Sequence, residues 1–257
     1  MSAFQQKLLT VCIYENESGD EMPALNEKRR EKRMRRTVKL MNDWLFTDME
    51  GKQTKLDLPH TWNAIDGQDG GGDYKRGTCI YEREVEAPEF DKDSELVYLQ
   101  FHGVNASAEV LLNGKEVITH DGGYSTFRVN VTEELKETNT LLVKTDNSKN
   151  TRVYPQRADF TFYGGIYRDV EFLIIPKEHF DVDYFGSNGI KITPVVNDTI
   201  GNLQVETFIK TKEDALVEVE VLDAEGNTVV AGNGTDVKLS IPNVHLWNGR
   251  KDPYLYT

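Results

Sequence analysis

Three stretches of this sequence set aromatic rings beside carboxylates, amides and glycines. They are His60-Thr61-Trp62-Asn63, the loop over residues 66–77, and DFTFYGGIYRDVEF over residues 159–172. Sugars present apolar C–H faces edged with hydroxyl groups, and a ring beside a carboxylate or amide matches both features. Each stretch also has a plainer structural reading. Trp62 follows a Leu-Pro-His corner and equally suits a core anchor. Gly122-Gly123-Tyr124 suits a strand connection with a ring tucked over it, and Arg168-Asp169 suits internal ion pairing.

The usual catalytic templates are missing. GQDGGGDYKRG is rich in glycine but lacks the Gly-Lys-Ser/Thr of a phosphate-binding loop, and no Gly-x-Ser-x-Gly elbow occurs. His60, His102, His120, His179 and His245 stand apart from one another and from cysteine, without zinc-ligand spacing. Asp91-Lys92-Asp93-Ser94-Glu95 opens like a calcium loop, but its sixth position is Leu96 where glycine is required. Carboxylates are abundant, yet nothing marks two of them as an acid/base pair on a rigid floor.

The chain has 257 residues, 28% of them charged, and a formal charge of −13. That acidity repels phosphate backbones and argues against nucleic acid as a partner. No apolar run has the length of a membrane span, and LLTVCIY near the N-terminus is followed by no small-residue cleavage site. The expectation is a cytoplasmic protein without a membrane partner. Cys12 and Cys79 allow at most one disulfide, not a disulfide scaffold.

The elements that must carry these residues are short strands. YEREVEA alternates at period two, LVYLQFHGV and VEFLIIP read as buried strands, and Asn113-Gly114 supplies the positive φ of a two-residue hairpin turn. Thr132 caps an expected helical turn over TEELKE. The spacing predicts an all-β chain: an antiparallel β-sandwich or jelly roll over 37–180, behind a leader over 1–36. The basic run at 28–39 suits a solvated leader or short helix pairing with acidic surface, and a nucleic-acid arm only secondarily. A second sandwich is expected over 185–257, with a hairpin turn at Glu225-Gly226-Asn227. An immunoglobulin-like sandwich uses about 100 residues, so this one reads as truncated at its C-terminal end, with an open edge.

LPHTWNAIDG, DYKRGTCIYEREV, FHGVNASAEVLLNGKEVITHDGGYSTFRVNVT, TDNS and DFTFYGGIYRDVEF occur in one order along the chain. In that order and spacing they resemble the N-terminal sugar-binding domain of glycoside hydrolase family 2. IPNVHLWNGRKDPYLYT is similar to part of that family's following immunoglobulin-like domain. FTFYGGIYRDV is most like the β-galactosidases.

The resemblance implies a galactose-binding-like jelly roll, an immunoglobulin-like sandwich and then a (β/α)₈ barrel holding both glutamates of a retaining glycosidase. No catalytic residue then lies in this chain, which is expected to be inactive alone and to shape the substrate pocket. The resemblance puts Asp159 near the galactosyl hydroxyls and a monovalent cation, and places Asp73 and Arg76 on a loop edging the same pocket. Trp62 is a weaker pocket candidate. Arg168 and Asp169 fall at positions of internal pairing. No cofactor is required by this chain, while Mg and Na ions are implied for the parent enzyme. The implied partners are a β-galactoside or other sugar, the barrel of the same polypeptide, and further copies in a homo-oligomer. Two alternatives remain within carbohydrate recognition: a free-standing carbohydrate-binding module, and a β-glucuronidase- or β-mannosidase-type member of the family. An adhesin-like surface sandwich is a third reading and would need an export signal.

Overall fold

The computed structural model describes residues 35–66, 74–154, 162–211 and 216–257. Among them every regular element is a strand. They divide into two compact units, one ending at Pro176 and the other spanning Lys177–Thr257.

The first unit is a sandwich of two antiparallel sheets. One has four strands: β1 (Arg36–Lys39), β5 (Glu95–Phe101), β9 (Phe127–Asn130) and β12 (Val170–Pro176), in the order β1-β12-β5-β9. The other has six: β2 (Trp44–Thr47), β3 (Gln53–Leu56), β4 (Thr78–Glu86), β7 (Ser107–Leu112), β8 (Lys115–Asp121) and β10 (Thr138–Asp146). Their order is β3-β2-β4-β10-β7-β8. Two short strands, β6 (Val104–Asn105) and β11 (Gly165–Ile166), pair beside them. Alternation in β4 and β10 sends Cys79, Tyr81, Val85, Leu141 and Val143 inward onto Val97, Leu99, Phe101, Phe172 and Ile174 of the facing sheet. The core is closed by Trp44, whose indole N–H donates to Leu40 O at 2.8 Å. The hairpin read from Asn113-Gly114 joins β7 to β8, with φ of 55° and 80°.

Two expectations need correction. The leader was expected to run through residue 36, but β1 begins at Arg36, and the end of the basic run is sheet. It pairs with β12 in register, while the Arg36 guanidinium binds Glu95 and Lys39 binds Asp169, so acidic partners turn a basic stretch into an edge strand. Residues 1–34 of the leader lie outside the described residues. The short turn after Thr132 forms, with the Glu134 and Leu135 amides bonding back to Val131 O, but Thr132 is not its cap: its hydroxyl accepts from Val97 N at 2.8 Å. Cys79 is a buried free thiol, and Cys12 lies outside the described residues.

The second unit sets β14 (Ile190–Asn197), β15 (Ile200–Thr207) and β19 (Asp236–Pro242) in one sheet, ordered β14-β15-β19. A second pair is β17 (Glu218–Leu222) with β18 (Thr228–Asn233), and a short pair is β13 (His179–Phe180) with β16 (Ile209–Lys210). Strict alternation in β15, β17 and β19 buries Leu203, Val205, Val219, Val221, Val237 and Leu239 in one core. At the end of the chain, Thr257 exchanges both backbone hydrogen bonds with Leu222, at 2.7 and 3.0 Å, adding a neighbour to β17.

Candidate functional site

The sequence stretches singled out for sugar chemistry meet at one end of the first sandwich, the end at which β4 begins and β10 finishes. There the chain leaves the sheets, and its backbone polar groups need partners other than a ladder. Three asparagines supply them, and they are 0%, 5% and 2% exposed at Asn63, Asn105 and Asn147. Asn63 Nδ2 donates to Phe162 O at 3.0 Å, and its Oδ1 accepts from Gly164 N at 2.7 Å. Asn105 Nδ2 donates to Tyr163 O at 2.6 Å. Asn147 Nδ2 donates to Lys75 O at 3.0 Å, and its Oδ1 accepts from Gly77 N at 2.9 Å.

These bonds bring together the stretches around Trp62, Arg76 and Phe162. The Trp62 backbone N–H donates to Gly164 O at 3.3 Å, and its indole N–H donates to Lys75 O at 3.2 Å. Its ring stacks on Phe46 with centroids 6.3 Å apart. Trp62 is thus a half-buried joint between two chain segments, packed against the core as the anchor reading has it. Arg76 lies with its guanidinium 5.5 Å from the Tyr74 ring centroid and 5.8 Å from that of Phe162. Its Nη1 donates to Asn147 O at 3.3 Å, while its Nε is buried with no hydrogen-bond partner among the described residues. The two rings meet edge to face, with centroids 5.8 Å apart, and the Arg76 cation lies over both. Among the described residues of DFTFYGGIYRDVEF, Tyr163 turns outward, at 40% exposed, whereas Phe162 is buried.

Asp73 and Asp159, including the latter's implied cation site, lie outside the described residues. Among the described residues, no group of three His, Cys, Asp or Glu side chains is placed to hold a metal ion. Asp66 Oδ2 accepts from Lys75 N at 2.8 Å across the base of the 67–73 stretch. Ahead of residue 155, Asp121 gathers Ser107 Oγ at 2.7 Å, Asn150 Nδ2 at 2.8 Å and Arg152 Nε at 2.7 Å. Arg152 and the Ser107 hydroxyl hold the Asp121 carboxyl below the ordinary aspartate range.

Arg168 and Asp169 are engaged internally, but not with each other. They precede β12 rather than lying within it: Arg168 Nη1 donates to His102 O at 3.3 Å and Tyr124 O at 3.2 Å, and Asp169 binds Lys39. Gly122-Gly123-Tyr124 is a connection with a ring over it, as the Tyr167 hydroxyl donates to Gly123 O. Beside Trp62, a cleft of about 260 Å³ is lined in part by Phe46, Met49, His60 and Cys79. Burial lowers the His60 pKa, and its Nδ1 sits 2.7 Å from the Tyr81 hydroxyl. Burial above all, with Asp48 next, pushes the Cys79 thiol up to about 11, which keeps it protonated at neutral pH.

Comparison with known proteins decides what this geometry belongs to. Residues 73–183 match the family model described as the glycosyl hydrolase 2 galactose-binding domain-like family. The first unit is a family 2 galactose-binding-like domain. A β-glucuronidase of Bacteroides fragilis is 33% identical over 242 residues, covering 86% of this chain and 34% of that protein. A β-galactosidase of Thermoanaerobacter pseudethanolicus is 30% identical over 176 residues, covering 62% of this chain and 23% of that protein. Among solved structures, an FMN-binding β-glucuronidase of F. prausnitzii superposes with a TM-score of 0.78 at 33% identity, over 87% of this chain and 36% of that one. The chain therefore spans about a third of the curated relatives it matches, at 34% and 28% of their lengths for the first two. The galactose-binding-like domain carries its asparagine-clamped end in the segment that the family model covers, apart from 60–66.

Proposed function

We propose that this chain is the N-terminal, non-catalytic part of a retaining family 2 glycoside hydrolase, and that it shapes one wall of the substrate pocket. The observation that carries this reading is the convergence at one sandwich end. Buried asparagines gather Trp62, Arg76, Tyr74 and Phe162 there, and the chain runs from those anchors directly into the stretches holding Asp73 and Asp159. The two catalytic glutamates belong, by family resemblance, to a barrel beyond this chain. Terminal β-galactosides are the substrate class that FTFYGGIYRDV suggests. A β-glucuronide is the second reading, favoured by the relatives of that name, which align over more of this chain than the β-galactosidases do. Asp159 would face the sugar hydroxyls and a monovalent cation, with Mg and Na ions serving the parent enzyme. A cytoplasmic location and a homo-oligomeric assembly complete the proposal. The test is hydrolysis of chromogenic β-galactoside and β-glucuronide by this chain alone, side by side with the full-length enzyme. Turnover by the chain alone refutes the non-catalytic reading.

A further inference from the structure

The residues that recognise a ligand are useful only if the backbone beneath them is held still. Residues 75–77 and 162–164 lie outside every strand, so no sheet ladder fixes them. What fixes them is the set of buried primary amides. A carboxamide is the neutral side chain that offers an acceptor and a donor at one end, so one residue can hold an N–H and a C=O of another segment together. Asn63 does so for Gly164 and Phe162, and Asn147 for Gly77 and Lys75. The neighbouring glycines leave the room required. A β-carbon on Gly123 would lie 2.7 Å from Asn105 Cγ, and one on Gly164 would lie 2.7 Å from Asn147 Nδ2.

We propose that Asn63, Asn105 and Asn147 are positioning residues of the sugar site. They set the register of Arg76, Phe162 and Tyr163 against one another, and so set substrate affinity through groups that they do not themselves present to the sugar. This inference rests on the pocket-wall reading above. Arg76 shows the dependence most directly, because the Asn147 carboxamide holds Gly77 N and Lys75 O on either side of it in the chain, and the Phe162 ring that its guanidinium faces follows a backbone held by Asn63.

The molecule contains its own control. At the opposite end of β10, Asn139 is just as buried. Its Nδ2 donates to Lys136 O at 2.8 Å, and its Oδ1 accepts from Lys136 N at 2.8 Å and Asn113 Nδ2 at 2.9 Å. Asn139 and Asn147 are eight residues apart along an extended strand, roughly 26 Å at the usual rise. Asn139 therefore reports on clamp chemistry alone, far from the site.

The experiment compares Asn63→Asp, Asn147→Asp and Asn139→Asp in the full-length enzyme, each variant keeping the acceptor and losing the donor. Steady-state kinetics on p-nitrophenyl β-D-galactoside and p-nitrophenyl β-D-glucuronide are read beside Tm. The expected result is a KM raised at least about tenfold for Asn63→Asp and Asn147→Asp, as for ångström-scale misplacement of a binding group. Asn139→Asp should lower Tm while leaving KM unchanged. If Asn63→Asp does not yield folded protein, Asn147→Asp carries the same test. The inference is overturned if Asn147→Asp leaves KM as it was, or if Asn139→Asp raises KM equally. If the wild-type enzyme hydrolyses neither glycoside, the pocket-wall reading itself fails, which separates the two outcomes.

Discussion

Gly164→Ala puts the packing of the site wall to a quantitative test. A β-carbon at Gly164 would clash with Trp62 Cζ2 and lie 2.6 Å from Cε2 and 2.7 Å from Asn147 Nδ2. Replacing glycine with alanine restricts the unfolded chain, which favours folding by about 0.4–1 kcal/mol where the native backbone tolerates it. Against that stands overpacking, at about 1–3 kcal/mol. Pushing the Asn147 amide away from Lys75 O adds the loss of one hydrogen bond, about 1 kcal/mol. The steric side wins, because the indole is backed by Phe46 and tied to Lys75 O, so it cannot swing clear. The net cost is roughly 1–3 kcal/mol, or a fall in Tm of ~4–12 °C for a unit of this size. Thermal unfolding followed by near-UV circular dichroism measures it. The cause is isolated by repeating the substitution in a Trp62→Ala background, where its cost should shrink by at least about 1 kcal/mol. A Tm unchanged by Gly164→Ala, or an equal loss in both backgrounds, would refute the account of this wall.

Two further outcomes follow from the ionisable groups of the same sandwich. The Arg36 guanidinium holds the buried Glu95 carboxyl below the ordinary glutamate range. The stabilisation is therefore complete above the ordinary value and is lost as pH falls through the folded value. Urea midpoints should drop on acidification below the ordinary glutamate range, and Glu95→Gln should flatten that drop; an equal slope in both proteins argues against the pairing. Cys79 is buried and its thiol is raised to about 11. In a Cys12→Ser variant, iodoacetamide at pH 8 should modify the native chain far more slowly than the urea-unfolded one, and equal rates would contradict the burial.

Much of the fold was written in local pattern. Strict alternation marks Glu218–Leu222 and Asp236–Pro242, the Pro176 stop closes β12, and Asn113-Gly114 announces its hairpin because its turn demands positive φ. Arg36–Lys39 was hidden because nothing local makes RTVK a strand; its partners Glu95, Asp169 and the β12 ladder are distant in sequence. The hairpin of β2 and β3 was missed for a related reason. Its turn is organised by the Asp48 carboxylate, which accepts from Glu50 N and Lys52 N, and not by a strong glycine dipeptide.

At the site, rings and charges were legible and the clamps were not. Asn63, Asn105 and Asn147 sit in WNA, VNA and DNS, where asparagine ordinarily signals a turn. Only burial against backbone from the other end of the sequence shows them as supports. The Gly164-Gly165 pair reads as a flexible turn but has steric reasons as well: Gly164 makes room for Trp62. Gly165, at φ 133°, would place a β-carbon 2.5 Å from His60 O. The described part of DFTFYGGIYRDVEF thus divides into a buried ring at Phe162 beneath Arg76, an outward ring at Tyr163, and a tail from Ile166 into β12.

The most direct measurement of the central claim is p-nitrophenol release from p-nitrophenyl β-D-galactoside and p-nitrophenyl β-D-glucuronide. It is made at equal molar concentrations of this chain and of the full-length enzyme. The account predicts hydrolysis of at least one glycoside by the full-length protein and none above the buffer rate by the chain. Turnover by the chain alone would contradict it, and so would a full-length protein inert toward both.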